Sequence, residues 1–279
     1  MRRSRVAEEE ASVAKVLLEA QLRTYESEGF ISPVRVLSED EVSVFRAALG
    51  EQQAIMGGRL QRMDNSHLFL RWAYDLALHP KVLDTLEDLL GPDLFVHSTR
   101  IFYKHPHDPS YVSWHQDGTY SSLNSKPAPS AWIALSYSGV ENGCLRVVSA
   151  SHQSGKLEHV ETFAPNNLLN HGEEVQKEID ESRVRDLVLQ PGEMSLHHVN
   201  LIHGSKPNHS DLERIGFAVS YITPEVRRSH LPVVRARGSS ADHEFELWPG
   251  PPHLGMADAI RAHAEFAERH RMRKARVAG

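Results

Sequence analysis

The sequence predicts a mainly β protein, an antiparallel sandwich or barrel carrying flanking helices and a helical layer at its N-terminal end. Three observations lead there. Helical periodicity runs up to Gly91-Pro92 and then stops. Beyond Pro92 come short β-prone segments punctuated by Gly, Pro, Asn and Ser, which is the texture of hairpins rather than of alternating β/α units. One of them, "RIGFAVSY", alternates strictly between bulky apolar and small or polar residues.

Taken in order, residues 8–28 read as a helix. Val13, Val16, Leu17 and Ala20 share a face, and acidic residues lie at its start, where the helix dipole favours them. "SEDEVSVFRAALG" offers a capping box, Ser38 to Glu41, before the stripe Val42, Phe45, Leu49. "HPKVLDTLEDLLGPD" enters a helix at Pro80, buries Val82, Leu83, Leu86 and Leu90, and stops at Gly91-Pro92. The expected strands are "LFVHSTRIFY", "SAWIALSYSGV", "GCLRVVSA", "VRDLVLQPGEMSLHH" and "RIGFAVSYIT", with a helix expected only at "NHGEEVQKEIDES". A final helix spans Met256 to Val277, and its basic end reads as a solvated surface. The chain reads as one domain over 1–279: a helical layer (8–91), a β-barrel core (92–227) and an extension (228–279) ending in that helix.

Composition narrows the function. A net charge of −6 gives no basic field for nucleic acid, and no apolar run approaches a membrane span. "MRRSRVAEEE" has no apolar core behind its arginines, so no secretory signal is expected. With Cys144 as the single cysteine no intramolecular disulfide can form, and a cytoplasmic location is the simplest reading. Cys144 has no local base except Arg146 and reads as a half-buried strand residue rather than a nucleophile. Eighteen histidines raise the expectation of a metal site.

"YVSWHQDGTY" places His115 and Asp117 two apart, so that on a strand or turn both side chains point one way. Two histidines and a carboxylate on one face of an octahedron are the ligands of non-haem Fe(II) oxygenases. The bland alternative is a loop histidine hydrogen-bonded to its neighbour. Gly118 follows, where glycine accepts unusual backbone angles. A third ligand is on offer in "MSLHHVNLIHGSKPNHSDLERIGFAVSYITPEVR", which contains His197, His198, His203 and His209. In the strand that follows, Arg214, Gly216, Ala218 and Ser220 share one face and Ile215, Phe217, Val219 and Tyr221 the other. The bulky face suits a core between sheets. The small face leaves room for a ligand, with Arg214 placed to take a carboxylate in a two-point fork, or else standing as an exposed edge charge.

These segments resemble the phytanoyl-CoA dioxygenase-like family of Fe(II)- and 2-oxoglutarate-dependent oxygenases. The resemblance runs from about Glu26 to Arg227 and is carried by "WHQDGTY", "SAWIALSYSGVENGCLRVVSASH" and "PGEMSLHHVNLIHGSKPN" with its arginine strand. It implies a double-stranded β-helix, a jelly-roll barrel. It implies His203, inside His203-Gly204-Ser205 and eleven residues before Arg214, as the distal metal ligand beside His115 and Asp117. It further implies Arg214 and Ser205 as the holders of the distal carboxylate of 2-oxoglutarate, with Trp132 either a cosubstrate contact or a core tryptophan. Lys104 is a pocket candidate or a surface lysine. The implied cofactors are Fe(II), 2-oxoglutarate and O2. The implied reaction is hydroxylation, with succinate and CO2 as co-products, since halogenating members replace the carboxylate of Asp117 with a small residue. The alternatives are a cupin-like metalloenzyme without 2-oxoglutarate and a non-catalytic metal-binding or sensor protein of the same fold. Small-molecule substrates are expected, with no nucleic-acid or membrane partner. The segments around 57–71, 105–110, 121–130 and 159–185 are the expected pocket wall, and their polarity leans towards a small polar or natural-product substrate over a fatty chain.

Overall fold

The computed structural model describes residues 16–58, 60–119, 129–169, 171–226 and 232–278, the last eight of these by backbone alone. Helix α1 (Glu19–Glu28) leads into β1 (Phe30–Arg35), followed by α2 (Glu39–Met56), β2 (Arg62–Asp64), α3 (Arg71–Ala77) and α4 (Pro80–Leu90). The chain then becomes strands: β3 (Leu94–Lys104), β4 (Val112–His115), β5 (Ser130–Ala134), β6 (Leu145–Val148), β7 (His159–Glu161), β8 (Glu173–Val175), β9 (Val184–Leu187), β10 (Glu193–His197), β11 (His203–Ser205), β12 (Arg214–Ile222) and β13 (Val234–Arg237). Helix α5 (Met256–Ala278) closes it.

The main sheet runs β1-β10-β5-β12-β3-β13, with β2 also paired to β3, and a four-stranded sheet runs β4-β11-β6-β9. Every named ladder is antiparallel. This is the expected mainly β architecture with helices, consistent with a double-stranded β-helix. Strands β1, β2 and β13 come from outside residues 92–227, so both flanking segments extend the main sheet.

Local sequence explains the helices that formed. Ser38 and Glu41 make the capping box, with Glu41 N–H donating to Ser38 Oγ at 3.2 Å and Ser38 N–H donating to Glu41 Oε2 at 2.7 Å. Val42, Phe45 and Leu49 are buried as expected. In α4, Val82, Leu83 and Leu86 are buried while Leu90 is only half-buried. The first helix departs from expectation. Among the described residues it begins at Glu19, and Val13 lies outside them. The amides of Val16 and Leu17 instead donate to Asp88 Oδ2 at 2.8 and 2.9 Å, which holds the chain extended there. Leu17 is buried, but Val16 and Ala20 are exposed, so the expected apolar face is not the one that docks.

The helix expected at 170–182 is also replaced. Gly172 turns with φ of 65°, and Glu173–Val175, whose burial alternates with period two, pairs antiparallel with His159–Glu161. The strand expected at 184–198 breaks in two at Pro191-Gly192, and that expected at 130–140 ends at Ala134. The β12 alternation holds, with Ile215, Phe217, Val219 and Tyr221 all buried. They pack not between the sheets but in the cluster that joins the main sheet to the helices, with Leu49, Trp72, Leu76 and Leu86. The helical layer covers that face, which frees the opposite face of β12 for a pocket. Among the described residues no helix is long and apolar enough to cross a membrane.

Candidate active site

Strand pairing assembles the metal donors. His203 opens β11 directly opposite His115, the last residue of β4. Asp117 follows in a short 3-10 turn, Asp117–Thr119. Gly118 has no left-handed φ. A Cβ there would stand 2.5 Å from Asn200 Oδ1, so the glycine is needed for room beside the 199–200 turn rather than for an unusual angle. Gln116, fully buried, points away and ties two loops by donating to Gly155 O and Asn200 O.

Nε2 of His115 and Nε2 of His203 each lie 3.7 Å from Asp117 Oδ1. The three donor atoms lie within 4.8 Å of one another. Two atoms bound to one ion at about 2.1 Å stand no more than about 4.2 Å apart, so the carboxylate–imidazole spacings suit a shared cation. The outer nitrogens agree. His115 Nδ1 faces the carbonyls of Ser113 and His203, both at 3.0 Å, and His203 Nδ1 faces that of Leu201 at 2.9 Å. Carbonyls only accept, so Nδ1 carries the proton in both rings and each Nε2 keeps its lone pair for a metal. Burial pushes the Asp117 carboxyl up, but His203, His115 and His197 around it prevail and hold it well below the usual carboxylate range. Burial first, then His115, keeps His203 well below the usual histidine range. An ionised carboxylate and neutral imidazoles are the states a divalent cation requires.

A pocket surrounds this cluster, with about 930 Å³ of space not filled by protein, part of it open solvent. One wall is the inner face of β12 and β3, where the register Arg214–Lys104, Gly216–Phe102, Ala218–Arg100 and Ser220–Ser98 brings Ser98, Arg100, Phe102, Arg214, Ala218 and Ser220 to the lining, while Lys104 lies behind it. Arg214 is 2% exposed, not an edge charge, and its Nε and Nη2 have no hydrogen-bond partner. Its guanidinium lies 5.3 Å from the centre of the Trp132 ring, and burial draws its pKa down to about 10. Trp132 is buried and also lines the pocket. A Cβ at Gly216 would meet the indole at 1.9 Å, so glycine there is what lets Trp132 lie across β12. Lys104 is not a surface lysine. It is fully buried, donates from Nζ to Ser205 Oγ at 2.7 Å and also to Lys206 O, and burial followed by the nearby Arg214 lowers its pKa well below the ordinary value. A buried guanidinium without an acceptor, beside the Lys104 amino group and the Ser205 hydroxyl, matches an incoming carboxylate.

Of the competing histidines, only His197 reaches the cluster. His198 packs against His152 and His209 is absent from the pocket lining, whereas His197 lines it. His152 faces Glu26 O, away from the cluster. Cys144 is fully buried rather than half-buried, and burial lifts its thiol to about 11, which leaves it unreactive. Ser130, the last residue of the expected wall segment 121–130, does line the pocket, whereas sequence reasoning missed His97, Ser98, Arg100 and the placement of His197. For Ser130 a signal existed: it is two residues before Trp132 and so on the same face. The expected wall segments 57–71, 105–110 and 159–185 contribute no described lining residue, and 121–128 lies outside the described residues. Among the described residues most of the lining comes from strands, with β3 supplying His97, Ser98, Arg100 and Phe102.

Comparison with known proteins places this geometry. The family model for phytanoyl-CoA dioxygenase matches residues 25–216. A probable alpha-ketoglutarate-dependent hypophosphite dioxygenase of Stutzerimonas stutzeri is 28% identical over 70% of this chain and 68% of its own. Among solved structures, the non-heme monooxygenase ThoJ in its apo form is 29% identical with a TM-score of 0.75, over 88% of this chain and 95% of that one. The non-heme alpha ketoglutarate-dependent carbocyclase SnoK from nogalamycin biosynthesis is 26% identical with a TM-score of 0.60, over 86% and 94%. The match spans well over half of the residues, and the buried His115–Asp117–His203 cluster supplies the donors such enzymes require: the chain belongs to the phytanoyl-CoA dioxygenase family of Fe(II)- and 2-oxoglutarate-dependent oxygenases.

Proposed function

We propose that this enzyme hydroxylates an unactivated C–H bond of a small polar or natural-product-type molecule. The observation that carries the reading is the joint presence, in one pocket, of the His115–Asp117–His203 donors and the unpartnered Arg214 guanidinium. Iron and 2-oxoglutarate together supply the oxidation, with O2 consumed and succinate and CO2 released. Arg214 takes the distal carboxylate of the cosubstrate. Lys104 donates to Ser205 Oγ, so the Ser205 hydroxyl hydrogen is free to point onward to that carboxylate. Trp132 supports the guanidinium from its face and excludes water from it.

Beyond the Arg214 end, Ser98, Arg100 and Ser220 line the pocket among Phe102, Val112, Leu145 and Val199, and these polar side chains support a substrate that carries polar groups over a bare acyl chain. The named substrate of the Stutzerimonas relative, hypophosphite, is small and charged, in keeping with that choice. The retained Asp117 favours hydroxylation over halogenation. A cupin-like enzyme without 2-oxoglutarate leaves the buried Arg214 with no anion, which ranks that reading lower. The pairing of β1, β2 and β13 with barrel strands supports a single domain.

The test is anaerobic titration of the apo-protein with Fe(II) and 2-oxoglutarate, followed by the visible charge-transfer band of the chelate, in wild type, His203→Ala and Arg214→Ala. A band lost or weakened in both variants is expected. Succinate release against a panel of small polar compounds then identifies the substrate. Iron binding with no band in wild type would overturn the cosubstrate assignment.

A further inference from the structure

Four polar side chains converge on Asp117, and they divide into two kinds. His115 and His203 have Nδ1 engaged by backbone carbonyls and present Nε2 to Oδ1. Ser130 and His197 lie on the other side. Ser130 Oγ donates to Asp117 Oδ2 at 2.5 Å, the short length of a hydroxyl bound to a carboxylate. His197 Nε2 is 3.5 Å from the same Oδ2, and its ring centre is 4.5 Å from that of His203. Both are 3% exposed or less.

Its tautomer separates His197 from the ligands. Its Nδ1 is buried and meets no hydrogen-bond partner, so nothing holds the proton there. The proton belongs on Nε2, where the carboxylate oxygen is the acceptor. A ring protonated at Nε2 offers no lone pair on that side, and its nitrogens fall outside the cluster that shares a 4.8 Å neighbourhood. The fold places the two residues as a unit: His197 of β10 and Ser130 of β5 are direct cross-strand partners.

We propose that Ser130 and His197 are positioning residues that clamp Oδ2 of Asp117, so that this carboxylate binds the metal through Oδ1 alone. A carboxylate free to swing brings both oxygens to the ion and takes a position that the chelating cosubstrate or dioxygen needs. The clamp rests on the metal centre described above and adds to it a reason for its open positions.

The experiment uses the full chain as wild type, Ser130→Ala, Ser130→Thr and His197→Phe, each checked for native circular dichroism. Anaerobic Fe(II) titration gives the metal affinity. Infrared difference spectra of ¹³C-aspartate-labelled protein, taken on addition of Fe(II), give the splitting of the carboxylate stretches, which differs between one-oxygen and two-oxygen binding. Wild type is expected to show one-oxygen binding. Ser130→Ala and His197→Phe are expected to shift towards two-oxygen binding and to lose about 10- to 100-fold in Fe(II) affinity. Ser130→Thr, which keeps the hydroxyl, is expected to restore both. Two-oxygen binding in wild type, or unchanged splitting and affinity in the Ala and Phe variants, overturns the clamp while leaving the metal centre standing. Wild type that binds no Fe(II) overturns the metal centre and the clamp together.

Discussion

Replacing Arg214 with methionine is expected to move stability and cosubstrate binding in opposite directions. Arg214 is 2% exposed and two of its nitrogens have no acceptor. Burial lowers its pKa to about 10. At 1.36 kcal/mol for each pKa step, that penalty on the charged form is about 3 kcal/mol. Contact with the Trp132 face returns about 1 kcal/mol. Methionine fills a similar volume and carries no charge, so the apo-protein is expected to gain about 2 kcal/mol, as when buried ionic groups are replaced by apolar ones. A chain of this size then melts about 4–8 °C higher. Cosubstrate affinity should fall instead, because truncating one partner of a buried charge pair costs about 2–5 kcal/mol, which is roughly 30- to 5,000-fold. Calorimetry of the apo-protein and anaerobic 2-oxoglutarate titration of the Fe(II)-loaded protein measure the two. A variant that is destabilised while binding 2-oxoglutarate normally would refute the reasoning and make Arg214 a structural residue.

Other perturbations follow from the same geometry. Gly216→Ala drives a methyl into the Trp132 ring and is expected to cost about 1–3 kcal/mol, with a raised KM for 2-oxoglutarate as Arg214 loses its support; denaturant unfolding and steady-state kinetics check both. Asp117→Ala is expected to abolish hydroxylation, and full activity in that variant would sink the triad. His67, wholly buried with Nε2 unpartnered, has its pKa drawn down to about 3 by burial, then by His97 and His263. Unfolded histidine takes up a proton near pH 6.5, so this contribution to stability is complete above that pH and is lost as pH falls towards 3. At pH 5 the loss is about 2 kcal/mol. Urea unfolding at pH 7 and pH 5 should show it in wild type and show it diminished in His67→Asn.

The sequence by itself determined those parts of the site that are local. His115 and Asp117 share one short segment, and the His203-Gly204-Ser205 motif stands eleven residues before Arg214 at the head of an alternating strand, so spacing and family resemblance sufficed to find them. The capping box of α2 and the buried face of β12 were legible for the same reason: each depends on residues within a few positions of one another. What only the tertiary structure decided is whatever crosses between strands. Alternation says that Ser130 and Trp132 share a face, but the β10–β5 register puts His197 beside Ser130. Likewise the β12–β3 register brings Lys104 to Arg214 and lays the inner face of β3 along the pocket. The face of β12 that looked made for an inter-sheet core found helices instead. The physical reason is common to all three. A strand's period states which side chains point together, while the partner strand and its register are set by long-range pairing and packing that no local window contains.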